Sequence, residues 1–257
     1  MTDQTSSISV QTLQLSDGAA LSYAGPDLSE GSLPALFYFS LSGSESLTLD
    51  PFNQPAVFID RSKLRVFSLD IPGHERPLAE TDAIRFWAEQ LYAGVDIIGN
   101  FTQRVSSVIT QLIDSDIIDP ERIAVAGLSR GAFVAAHCAA MDPRIRILLG
   151  FAPLTRPGYQ KEFTDMQELP AIQGLALDHL GENLYNRTIR FYIGNRDIRV
   201  GTRNSFEVIE AWTEAAFERK IRSPKIELVI TPSIGHQGHG STPDTFRSGA
   251  EWVQQQL

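Results

Sequence analysis

The apolar positions of this chain fall into two rhythms. Ala35 to Phe39 is an unbroken apolar run, and short apolar-rich runs occur at 65–69, 122–126, 145–150, 189–193 and 226–230. Runs of this length and continuity predict strands covered on both faces. Between them, Ile84, Trp87, Leu91 and Val95 recur at helical spacing, as do Phe101, Val105, Val108 and Leu112. The alanine-rich stretch from Ala132 to Met141 and the stretch 205–220 also predict helices. Thr242-Pro243-Asp244 opens a last one, with Pro243 in the first turn. Near the start, 10–15 alternates apolar with polar, Asp17-Gly18 supplies a turn, and 19–23 returns as a second strand. A hairpin followed by alternating strand and helix predicts an α/β fold. Its sheet is mostly parallel, with an N-terminal antiparallel hairpin and helices on both faces. No internal repeat, low-complexity tract or linker divides the chain, so residues 1–257 are expected to form one domain.

One stretch breaks the rhythm. Residues 155–187 carry Pro157-Gly158, Pro170, Gly174 and Gly181, with an apolar patch at 175–180. Excursions of this length inside a compact domain tend to serve function, so a small cap over the active site is expected here.

The candidate chemistry centres on Gly127-Leu128-Ser129-Arg130-Gly131. A buried strand precedes it and a helix follows, the context of a nucleophile elbow. Glycine flanks the serine because the turn is tight and strained, and side chains there would meet the neighbouring strand and helix. The turn lifts the serine hydroxyl toward a helix N-terminus, where negative charge is favoured. A serine hydroxyl needs a base, and the base needs a carboxylate to orient it. Both are expected just past late strands, where open parallel sheets build their sites. Asp197 follows the strand at 189–193 and is the expected acid; Asp178 is a distant second. After the last strand, Pro232 to Gly240 holds two histidines. Counting forward from the strand favours His236; counting back from the Thr-Pro helix start favours His239. His236 is the expected base, with His239 as the alternative. His74, His137 and His179 lie elsewhere in the order and are expected to be structural. Two N–H donors should hold an oxyanion. Arg130 would supply one, and Leu41 or Ser42, after the strand at 35–39, the other.

Composition narrows the classes. Hydrophobic residues make up 42% and charged residues 21%, and the net charge is −9. Such an acidic surface argues against nucleic acid or an anionic membrane as partner. The single cysteine, Cys138, excludes an internal disulfide and is expected to be a buried thiol. No Cys/His pair has zinc-ligand spacing, and no metal or organic cofactor is implied. The stretch 1–7 lacks the basic and apolar regions of a signal peptide, and no apolar run is long enough to span a bilayer. A cytoplasmic enzyme acting on a small molecule is expected.

Taken together, these motifs resemble the α/β-hydrolase superfamily of serine hydrolases, and its prolyl-oligopeptidase-like and dienelactone-hydrolase-like members in particular. Asp70-Ile71-Pro72-Gly73-His74 is similar to the D-x-P-G-H turn after the fourth strand. Asp119-Pro120-Glu121-Arg122-Ile123 leading into the elbow, and Gly194 to Val200 with Ser205-Phe206, resemble the corresponding stretches of the oligopeptidase group. The resemblance covers nearly the whole chain and implies the order nucleophile, acid, base. It implies a serine hydrolase cleaving a carboxylic ester through an acyl-enzyme. A small peptidase or amidase with the same triad, or a non-catalytic ligand-binding protein on this fold, are the alternatives. No propeller domain precedes the elbow, which weighs against the peptidase.

Overall fold

The computed structural model describes residues 8–75 and 82–257. The stretch 1–7, read above for a leader, lies outside the described residues. The described residues build one eight-stranded sheet. Its strands are β1 (Gln11–Gln14), β2 (Ala20–Ala24), β3 (Leu33–Phe39), β4 (Arg65–Ser68), β5 (Ile118–Leu128), β6 (Ile145–Phe151), β7 (Thr188–Gly194) and β8 (Ile226–Thr231), in the order β1-β2-β4-β3-β5-β6-β7-β8. β1 and β2 pair antiparallel, β2 pairs antiparallel with β4, and every later pairing is parallel.

The unbroken apolar run at 35–39 is explained by burial on both faces. In β3, Phe37 and Phe39 enter one core while Leu36 and Tyr38 enter the other, and all four are at most 1% exposed. The first core is closed by helices Asp82–Tyr92, Ile97–Asp114, Arg130–Met141 and Thr202–Glu218. The second lies under Gly43–Thr48, Gln54–Val57 and Pro243–Gln256. Cys138 is buried in the first core, as expected.

Two boundaries differ from the sequence reading. The helix read to Val95 ends at Tyr92, and Val95 is left exposed, because the chain turns off at Ala93-Gly94. Asp119-Pro120 does not precede β5 but lies inside it. The register slips there, Leu33 facing Ile118 and Ala35 facing Ile123, and the Asp119 Oδ1 accepts the Glu121 N–H at 2.9 Å. The aspartate's local hydrogen bond makes a turn-like bulge without ending the strand.

Residues 155–187 form short helical turns, Pro157–Tyr159, Lys161–Met166, Pro170–Gln173, Leu177–Leu180 and Gly181–Leu184. Phe163, Ile172, Leu177 and Leu184 bury themselves in the first core. The indole N–H of Trp212 donates to the Leu177 carbonyl at 2.7 Å, and His137 Nε2 donates to the Leu175 carbonyl at 3.0 Å. The segment is thus fastened to helices Arg130–Met141 and Thr202–Glu218.

His137 is also stacked edge-on to Phe133, with ring centroids 4.6 Å apart. Burial pushes its pKa down to about 4. The unfolded chain binds a proton there near pH 6.5 and the folded protein does not, so stability present above 6.5 is lost as pH falls toward 4. His137→Gln removes one titrating group from that window. The slope of unfolding free energy against pH, from urea titrations between pH 4.5 and 6.5, is expected to flatten by up to about 1.4 kcal/mol per pH unit. An unchanged slope would show that His137 is protonated in the folded state.

Candidate active site

Ser129 sits between β5 and helix Arg130–Met141 with φ 55° and ψ −113°, a conformation an L-residue adopts only under constraint. The constraint is close approach on both sides. A Cβ on Gly127 would stand 2.1 Å from the Gly131 carbonyl carbon, and one on Gly131 would stand 1.9 Å from the Phe39 carbonyl oxygen. Hydrogen bonds hold the strained residue: its N–H donates to the Phe151 carbonyl at 2.8 Å, and its carbonyl accepts the Leu154 N–H at 3.1 Å. The sequence reading of the elbow is therefore met in its backbone.

The Asp197 side chain is fully buried. Its Oδ1 accepts the backbone N–H groups of Arg199 and Val200 at 3.0 and 3.1 Å, which fixes the carboxylate in the turn after β7. Its Oδ2 lies 2.7 Å from Nδ1 of His239, and Nε2 of that ring lies 2.9 Å from the Ser129 hydroxyl oxygen. An ionised carboxylate only accepts, so Nδ1 carries the proton and Nε2 accepts from the serine.

The ring beside Ser129 and Asp197 thus belongs to His239, which corrects the placement expected for His236. Counting from β8 failed because the chain does not turn into the site when the strand ends. It stays extended to Ile234, which bridges to Gly240, and the residues between form a closed loop. His236 stands at the exposed tip of that loop, in the short turn His236–Gly238, and His239 returns beneath it. The loop is laced to the acid turn by backbone. Ile198 N–H donates to the Gln237 carbonyl at 3.0 Å, and Asn195 N–H to the Thr231 carbonyl at 2.7 Å. Arg196 N–H donates to Ser233 Oγ at 2.6 Å. Gly238 has φ +74°, and a Cβ there would stand 2.3 Å from the Arg196 carbonyl oxygen.

The loop after β3 also differs from expectation. Neither Leu41 nor Ser42 has an N–H without an acceptor. Leu41 N–H donates to the Ser46 hydroxyl at 2.9 Å, as Ser40 N–H does at 3.1 Å, and Ser42 N–H faces Glu45 Oε2 at 3.4 Å. The reason is a helix that starts at once: Ser42 caps Gly43–Thr48 in a capping box with Glu45, which brings Ser46 under the two preceding N–H groups. Ser46, fully buried, was missed in the sequence, although the spacing Ser42-x-x-Glu45 signals such a helix start. The loop is buttressed by the 70–74 turn, where Asp70 Oδ1 accepts the Gly43 N–H at 2.7 Å and Ile71 N–H donates to the Leu41 carbonyl at 3.2 Å. Arg130 opens the elbow helix, where N–H groups precede any acceptor within the helix itself.

A cavity of about 270 Å³ opens over Ser129 and His239, with Leu41, Phe52 and Leu128 supplying apolar wall. None of the cavity's lining residues comes from 155–187. That segment, read as a cap, lies instead beside the mouth, where Gln160 Nε2 donates to the Arg199 carbonyl at 3.1 Å. Asp178 is held by Arg156 at 3.3 Å and is not brought to the site. His74 is buried against Arg130, whose Nη2 stands 3.1 Å from His74 Nε2. Burial first, and the Arg130 guanidinium second, push the His74 pKa down to about 4, so the ring is neutral and accepts from the arginine. Among the described residues no three His, Cys, Asp or Glu side chains converge as a metal site, and no helix is long and apolar enough to cross a membrane.

No protein-family model and no curated protein sequence matches this chain. Solved structures do. TT1662 from Thermus thermophilus superposes with a TM-score of 0.67 at 19% identity, over 96% of this chain and 98% of its own. A cold-adapted esterase from an Arctic intertidal metagenomic library gives 0.64 at 17% identity, over 96% and 93%. Pyrococcus horikoshii acylaminoacyl peptidase gives 0.68 at 10% identity, over 98% of this chain but 41% of that one. The chain has the α/β-hydrolase fold.

The pairing of Asp197 with His239 has a substrate-independent test. The Nδ1 proton between them is expected to give a proton NMR resonance far downfield of the amides. Gly238→Ala is expected to lose it and to cost about 1–3 kcal/mol of stability, since both space and φ forbid the methyl group. A resonance that survives in Gly238→Ala, or is lost in His236→Ala, would contradict this geometry.

Proposed function

We propose that this protein is a serine hydrolase that cleaves a carboxylic ester through an acyl-enzyme. The observation that carries the reading is the continuous hydrogen-bonded line from Ser129 Oγ to His239 Nε2, at 2.9 Å, and from His239 Nδ1 to Asp197 Oδ2, at 2.7 Å. In this reading Ser129 Oγ attacks the ester carbonyl carbon while His239 Nε2 takes its proton. Asp197 keeps the ring in the tautomer that accepts it and stabilises the resulting cation. The tetrahedral intermediate collapses, the carbon–oxygen bond to the alcohol breaks, and His239 returns the proton to the departing alkoxide. Water then repeats the sequence on the acyl-enzyme and releases the acid.

The Arg130 N–H, at the start of the elbow helix, is one oxyanion donor in this scheme. The Leu41 N–H is the second. Its present acceptor is a neutral hydroxyl, that of Ser46, and an oxyanion is the stronger acceptor, so the exchange is favourable when charge develops. The likeness to the esterase above, over 96% of this chain and 93% of that one, supports an ester as the bond cleaved.

Steady-state hydrolysis of p-nitrophenyl acetate tests the assignment. Ser129→Ala and His239→Ala are each expected to lower kcat by about 10⁴- to 10⁶-fold, and Asp197→Asn by about 10²- to 10⁴-fold. His236→Ala is expected to cost less than about tenfold, since its ring makes no hydrogen bond to the line. Activity retained in Ser129→Ala would reject the reading; loss in His236→Ala matching that in His239→Ala would reject the choice of base.

A further inference from the structure

The described lining of the Ser129 cavity runs against the charge of the whole chain. The sequence holds 31 acidic and 22 basic side chains. Yet among the described residues lining the cavity are two arginines, Arg130 and Arg199, and no aspartate or glutamate. Asp197, just behind, is fully buried and engaged by His239 and two backbone N–H groups.

Both arginines are rooted. Arg199 is two residues past the acid. Its N–H is spent on Asp197 and its carbonyl accepts from Gln160, so the main chain is pinned while the side chain stays exposed. No described carboxylate pairs with its guanidinium. Arg130 follows the nucleophile directly. Its guanidinium carbon lies 5.9 Å from the centre of the Trp87 ring, and its Nη2 rests on His74. The Arg130 guanidinium is thus already engaged, whereas that of Arg199 is exposed. A neighbouring hollow shares Arg199 with Arg85, Lys161 and Glu162; there Arg85 pairs with Asp82 at 2.6 Å and Lys161 with Glu162 at 3.9 Å. Arg199, which lines both hollows, is therefore the cation placed to attract an anion to the entrance.

The apolar wall limits what the anion can be attached to. Leu41, Phe52 and Leu128 give the cavity of about 270 Å³ an apolar side against which a short methylene chain can lie. We infer that the site takes a short acyl group ending in a carboxylate, the half-ester of a small dicarboxylic acid, with Arg199 receiving the free carboxylate. This rests on the ester-hydrolase reading above and narrows its substrate. Guanidinium is suited to the role because its planar fork matches a carboxylate.

The test compares monomethyl glutarate with dimethyl glutarate, two esters of one skeleton that differ in the free carboxylate. A pocket without a cation would disfavour the monoester, because a carboxylate loses hydration on entry. The ratio of kcat/KM, monoester over diester, is expected to exceed one by about tenfold in the wild-type protein. It should fall by about five- to tenfold in Arg199→Gln, fall less in Arg199→Lys, and shrink with added salt. A wild-type ratio of one or below, or a ratio unmoved in Arg199→Gln, overturns the inference. A second measurement does not need turnover. Glutarate is titrated calorimetrically into the Ser129→Ala protein and into Ser129→Ala/Arg199→Gln, with inorganic phosphate alongside. Glutarate binding that weakens in the double variant upholds the inference. Phosphate binding without glutarate binding, or no binding of either, overturns it. If neither ester is cleaved while glutarate binds through Arg199, the hydrolase reading fails and the carboxylate subsite stands.

Discussion

The whole site depends on how closely three pieces of backbone approach at Ser129. The Gly131 backbone presses on the carbonyl of Phe39, at the end of β3, and Gly127 presses on Gly131. Only glycine fits either place. That crowding puts Ser129 in a strained conformation at the top of the sheet, with the elbow helix starting beneath it. The cost, of the order of 1–3 kcal/mol for such a residue, is carried by the sheet and by the hydrogen bonds to Phe151 and Leu154. Neighbouring strand ends then gain their meaning from the elbow. β3 releases the loop holding Leu41, β7 the turn holding Asp197, and β8 the loop holding His239.

Positioning of Asp197 and His239 is shared rather than separate. The turn after β7 and the loop after β8 exchange backbone hydrogen bonds at Asn195 and Ile198, and Ser233 accepts from Arg196. A carboxylate held by two N–H groups and a histidine held by the same turn move as one body. That rigidity is what the proposed role of His239 as general base requires.

Much of this was legible in the sequence, for identifiable reasons. The unbroken apolar run inside β3 and the helical spacing of Ile84, Trp87 and Leu91 are direct products of burial, and such patterns report burial. Gly127-Leu128-Ser129-Arg130-Gly131 was legible because its backbone tolerates so few residues. Asp197 was legible because it lies at a strand end. His239 was not, because its place depends on how residues 232–240 close on themselves, and glycine-rich loops carry no periodic signal. The role of Ser46 was hidden for a related reason. The two N–H groups it accepts belong to residues five and six positions earlier, joined only once the helix Gly43–Thr48 forms. The Arg130–His74 contact links residues 56 apart in sequence, and neither residue alone predicts it.

The central claim is that Ser129 is made nucleophilic by this geometry and by no other residue. Treatment with a fluorophosphonate, followed by intact-protein and peptide mass spectrometry, tests it most directly, because covalent capture needs an activated hydroxyl but no knowledge of the substrate. The account predicts one adduct per chain, on the peptide containing Ser129, formed only slowly when His239 is replaced. An adduct on another serine, or labelling of Ser129 at an unchanged rate without His239, would contradict it.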